Sequence, residues 1–102
     1  MARKHKDTVS RLAALAIGLG AEGLDIEYKD GHEEVFAIKN GLGWGIASLR
    51  SSSRDAKLLR AELFRMAKRK RQVILDEMKY ELRTRIYDSF GEHAFRVKLR
   101  RV

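Results

Sequence analysis

The chain has 102 residues, 44% hydrophobic and 35% charged, the balance of a globular chain with room for one core. It has no cysteine, which excludes disulfides and thiolate metal sites, and no apolar run approaches the length of a membrane span. The formal net charge is +8: residues 1–53 hold seven basic and seven acidic groups, and residues 54–102 hold fifteen against seven, so the whole excess lies in the second half.

Residues 1–7 form a basic tail, followed by a helix over 8–20 that Asp7 or Thr8 can cap. Its apolar positions Val9, Leu12, Ala13, Leu15, Ala16 and Leu19 recur at three and four residues, and Gly18, Gly20 and Gly23 favour its end. Asp30-Gly31 and Asn40-Gly41 then predict two-residue type I′ turns in a three-stranded meander over 24–50. Two-residue turns fix the register. Ile26 should oppose Val35 and Leu24 oppose Ala37, while Val35 opposes Ile46 and Ala37 opposes Trp44. One face thereby collects Leu24, Ile26, Tyr28, Val35, Ala37, Leu42, Trp44 and Ile46, with Trp44 read as core; Asp25, Glu27, Phe36, Ile38, Gly43, Gly45, Ala47 and Leu49 fall on the other. The glycines of Gly41-Leu42-Gly43-Trp44-Gly45 match neither the dinucleotide fingerprint nor the P-loop and are read as strand glycines.

Ser51, Ser52 and Ser53 supply caps for a helical region over 54–89, which contains neither glycine nor proline. Its apolar stripe changes direction between Leu58, Leu59, Leu63, Met66 and Ile74, Met78, Leu82, Ile86, Phe90, which predicts a bend or break near 68–72. Gly91 reads as a terminator, and residues 93–102 alternate as a strand or form a tail. The expected fold is α+β in a single domain: a three-stranded antiparallel meander packed by an N-terminal helix and a long, bent or broken C-terminal helix, with a short basic C-terminal strand as an option.

This order resembles the double-stranded RNA-binding domain over residues 8–68. Three stretches carry the likeness: Gly31-His32 with Phe36, the glycine-rich third strand, and Ser52-Ser53-Arg54-Asp55-Ala56-Lys57. The resemblance implies an α-β-β-β-α fold in which Arg54 and Lys57 reach phosphates and His32 makes a loop contact in the minor groove. Ser53 replaces one of the family's cations, and the two-residue loop that precedes His32 is short.

Independently of that likeness, the basic excess predicts nucleic-acid binding through the phosphate backbone or shape, RNA ahead of DNA. The candidate contacts are Arg54, Lys57, Arg60, Arg65, Lys68, Arg69, Lys70 and Arg71, with Arg96, Lys98, Arg100 and Arg101 assisting. A second reading makes residues 73–90 an apolar helix face, presenting Ile74, Met78, Leu82 and Ile86 to a second copy or another protein. A third is an RNA-cleaving enzyme using His32. No nucleophile with a base partner and no metal-ligand spacing is evident among His5, His32 and His93, so neither catalysis nor a cofactor or metal is expected. With no secretory signal or membrane span visible, the expected location is cytoplasmic.

Overall fold

The computed structural model of the chain describes residues 7–102; residues 1–6, which hold most of the predicted basic tail and His5, lie outside the described residues. The elements run α1 (Thr8–Gly18), β1 (Gly23–Lys29), β2 (His32–Lys39), β3 (Leu42–Arg50), α2 (Arg54–Met66), β4 (Arg71–Leu75), β5 (Met78–Ser89) and β6 (Glu92–Arg101). All six strands form one antiparallel sheet in the order β3-β2-β1-β6-β5-β4. The described residues thus form a small α+β domain with two helices and one antiparallel sheet.

Local chemistry sets the helix ends. The Asp7 carboxylate accepts from the Ser10 N–H at 2.7 Å, and α1 closes in a Schellman motif: Gly20 N–H donates to the Ile17 carbonyl and Ala21 N–H to that of Ala16, with Gly20 at φ +80°. Helix α2 starts at Ser53, whose hydroxyl accepts from the Ala56 N–H at 3.1 Å. Between the strands, Asp30-Gly31 and Asn40-Gly41 take positive φ at both positions and hold β1, β2 and the start of β3 in the register that two-residue turns dictate. A bulge at Ile46 then shifts the ladder by one residue, so Val35 opposes Ala47 rather than Ile46. Ala47 and Leu49 consequently turn toward the core side, whereas the straight register put both on the opposite face.

The C-terminal half overturns the predicted fold class. No long helix follows α2; residues 71–101 are a second three-strand meander. Its turns, Asp76-Glu77 and Phe90-Gly91, again have positive φ at both positions. The stripe Ile74, Met78, Leu82, Ile86 is therefore not a helix face. Met78, Leu82 and Ile86 share the core side of β5, Leu82 fully buried, whereas Ile74 lies on the opposite face of β4. The apolar helical surface that a dimer through residues 73–90 required does not exist in this fold.

Both helices cover one face of the sheet. Val9, Leu12, Ala13 and Ala16 of α1 and Leu59, Leu63 and Met66 of α2 meet Leu24, Ile26, Val35, Ala37, Leu75, Leu82, Phe95, Val97 and Leu99 in one buried cluster. Trp44, read as core, is 57% exposed, because β3 is an edge strand and the helices do not extend over that end. Glu62, buried on α2, ties the layers by accepting from the backbone N–H of Val9 at 3.0 Å and of Thr8 at 3.4 Å. Among the described residues the other face of the sheet carries no helix, and it positions the candidate site.

Candidate nucleic-acid interface

Strands β5 and β6 are the longest in the sheet, and their alternation sorts side chains by chemistry. Leu82, Thr84 and Ile86 with Phe95, Val97 and Leu99 point to the helices; Glu81, Arg83, Arg85 and Tyr87 with Arg96, Lys98 and Arg100 point to the uncovered face. Their register sets Glu81 opposite Arg100, Arg83 opposite Lys98, and Arg85 opposite Arg96. One pair is complementary and the next two are like-charged. Directly opposed side chains start only about 4.5–5.5 Å apart at Cβ, so like charges there destabilise the ladder.

Only part of this charge is neutralised within the protein. Arg96 donates to both carboxylate oxygens of Asp25, at 2.7 and 2.8 Å, and this pairing raises the guanidinium pKa further, keeping it charged throughout the accessible range. Glu81 meets Arg100 at 3.3 Å and Lys70 at 3.6 Å. Arg83, Arg85 and Lys98 take part in no ion pair among the described residues. Together with Arg96 and Tyr87 they line a concavity of about 450 Å³. Burial raises the Tyr87 pKa above its usual 10.0, the charges of Asp25 and Glu27 raise it further, and Arg96 partly opposes them. The phenol therefore stays a hydroxyl near neutrality, an uncharged donor beside four cations.

The structure distributes the predicted basic residues over two sides. Arg54 and Lys57 project from the side of α2 opposite its buried stripe, and Arg60 and Arg65 from its flanks, on the helix side of the sheet rather than its uncovered face. Arg65, Lys68, Arg69, Lys70 and Arg71 surround a second depression, of about 420 Å³, where α2 passes into β4. Within it Arg71 is committed to Asp7 at 2.9 Å and Lys70 to Glu81, while Lys68 and Arg69 take part in no ion pair among the described residues. Through the Lys70, Glu81, Arg100 contacts this loop adjoins the basic face. Arg101 is exposed at the end of β6. His32 begins β2, its Nδ1 3.1 Å from the Asp30 carbonyl oxygen, paired across the sheet with Lys29 and Arg50 and away from the cation cluster.

Arg83 and Arg85 were outside the predicted set because residues 73–90 read as helix. The signal that places them is the alternation Glu81-Leu82-Arg83-Thr84-Arg85-Ile86, which has the same period as Phe95-Arg96-Val97-Lys98-Leu99. Among the described residues no group of three His, Asp or Glu side chains could hold a metal, and no helix is long and apolar enough to cross a membrane. No family model matches the chain, and no curated protein matches it either.

Proposed function

We propose that the uncovered face of the sheet binds nucleic acid through its phosphates, with Arg83, Arg85, Lys98 and Arg100 as principal contacts and Lys68 and Arg69 extending the path around the α2–β4 loop. The observation that carries this reading is the pair of consecutive like-charged rungs, Arg83 opposite Lys98 and Arg85 opposite Arg96. A face needed only for solubility gains nothing from opposing its own charges, since alternating signs solvate equally well and stabilise the ladder. A polyanion lying over these rungs reverses the penalty, and release of its counterions drives association.

Asp25 and Glu81 serve this arrangement by fixing the side chains at its ends. The bidentate Asp25 carboxylate holds Arg96 in one geometry, and Glu81 holds Arg100 and Lys70 together. No constellation that reads base edges accompanies these cations, so the reading is of backbone or shape recognition, with RNA placed ahead of DNA. The α-β-β-β-α order over residues 8–66 keeps the likeness to double-stranded RNA-binding domains open at the level of element order. The basic residues of α2 that the likeness implicates face away from the proposed surface.

Amide chemical-shift mapping during titration with a short RNA or DNA strand tests the assignment. Perturbations should concentrate in residues 81–87 and 94–100 and reach 68–71. Perturbations confined to 54–66, or none at low salt, would contradict it.

A further inference from the structure

The uncovered face has a second zone beside the cations. Two rows cross it through consecutive paired residues: Gly45, Phe36, Asp25, Arg96, Arg85 and, next to it, Gly43, Ile38, Gly23, Lys98, Arg83. Each runs from an edge glycine through an apolar side chain to two cations. Phe36 lies three strands from Arg85, about 14 Å at the spacing of neighbouring strands. Phe36 and Ile38 are half-buried on this face, on the side away from the core, so neither is there to fill the interior.

Of the glycines flanking these two side chains, only Gly23 is held by a close approach. An added Cβ at Gly43 would make only ordinary contacts with Phe36 and Ile38, at 3.5–3.6 Å, whereas one at Gly23 would press on the Val97 carbonyl at 3.0 Å. At Gly45, opposite Phe36, an added Cβ meets nothing within 4 Å, and its φ lies outside the left-handed region, as does that of Gly43. Neither packing nor backbone geometry requires glycine at either edge position, and together Gly43 and Gly45 leave the strand beside Ile38 and Phe36 without side chains on this face.

We infer that the partner is a single-stranded nucleic acid, with bases resting on the Phe36 and Ile38 platform while the sugar-phosphate backbone lies toward Arg83, Arg85 and Lys98. This rests on the proposed function and deepens it. A duplex presents phosphates outward and keeps its base faces stacked, so it can use the cations and not the apolar zone. An unpaired strand uses both, since every base offers a face to an aromatic ring.

The test compares three fluorescently labelled probes of equal phosphate count: a single-stranded oligothymidylate, its abasic counterpart, and a DNA duplex. The wild-type protein should bind the oligothymidylate about tenfold or more tightly than the abasic strand, in keeping with a stacking contribution of about 1–3 kcal/mol per base. Phe36→Leu, which keeps an apolar side chain, and Gly45→Leu, which fills open space, should each lose most of that advantage and leave abasic binding unchanged. Circular dichroism and melting of both variants establish that the fold is retained. Equal affinity for the base-bearing and abasic strands, tighter binding of the duplex, or unaltered preference in both variants overturns the single-strand inference. In those cases, loss of all three affinities on Arg83→Gln with Lys98→Gln still supports phosphate binding by the face, whereas no binding of any probe at low salt removes both.

Discussion

Arg96 reaches across from β6 to Asp25 on β1 and binds both of its carboxylate oxygens, at 2.7 and 2.8 Å, at the strand pair in the middle of the sheet that joins the two meanders. The Asp25 side chain is only 8% exposed while that of Arg96 is 58% exposed, so the carboxylate depends on the guanidinium more than the reverse. Arg96→Ala should therefore destabilise the fold by about 1–3 kcal/mol, the range for stranding a largely buried hydrogen-bonding group whose charged partner is solvent-screened. Asp25→Asn, which leaves no stranded charge, should lose less. Urea denaturation of the two variants and their double mutant checks this; additive losses would show that the pair is not coupled.

A second tie joins the helices. Glu62 of α2 accepts from two free N–H groups at the start of α1, where a carboxylate also favours the positive end of the helix dipole. Glu62→Ala should cost about 1–3 kcal/mol, the penalty for leaving buried donors unpaired. Amide hydrogen exchange should accelerate first at residues 8–12. Unchanged protection there would mean that Asp7 alone caps the helix.

The Asp76-Glu77 turn places two residues with side chains at positive φ, +51° and +64°. Glycine adopts this region without the Cβ clash, so Glu77→Gly should stabilise the protein by about 0.5–1 kcal/mol despite the greater freedom it adds to the unfolded chain. Thermal melting reads the change directly, and a fall in Tm would contradict the turn geometry.

Tyr87 supplies a pH prediction. Its phenol titrates above the usual 10.0 because burial and the neighbouring Asp25 and Glu27 charges disfavour the phenolate. Above pH 10 the unfolded chain gives up this proton first, so the native state holds more protons and stability falls as pH rises. The contribution is fully present below pH 10 and is lost as pH passes through the native value. Tyrosinate absorbance of the wild type minus that of Tyr87→Phe should give a titration centred above 10; a midpoint at or below 10 would contradict the assignment.

Which parts of this molecule can be seen in its sequence depends on the turns. Asp30-Gly31 and Asn40-Gly41 announce the first meander and its register because glycine serves the second position of each turn. Asp76-Glu77 gives no such notice: two ordinary helix-compatible residues occupy αL positions, and the helix-forming run around Lys68–Arg71 leads straight into them. The spacing of four from Met78 to Leu82 to Ile86 is also ambiguous, since it keeps residues on one side of a helix and equally on one side of a strand. The bulge at Ile46 is invisible for a related reason, because alternation alone does not reveal an extra residue. The same errors hid half of the candidate site. Arg96, Lys98 and Arg100 show as an alternating basic strand, while Arg83 and Arg85 become their neighbours only once β5 is known to be a strand lying antiparallel to β6.

The central claim is that Arg83 and Lys98, opposed on adjacent strands, contact phosphates. Its most direct test is the salt dependence of binding to a labelled single-stranded oligonucleotide, comparing the wild type with an Arg83→Gln, Lys98→Gln double variant. Each phosphate contact on a single strand contributes about 0.7 to the slope of log affinity against log salt, so the double variant should show a slope shallower by about 1.4 and weaker binding at every salt concentration. An unchanged slope in that variant, with a reduced slope in Arg54→Gln, Lys57→Gln instead, would place the interface on α2 and contradict the account.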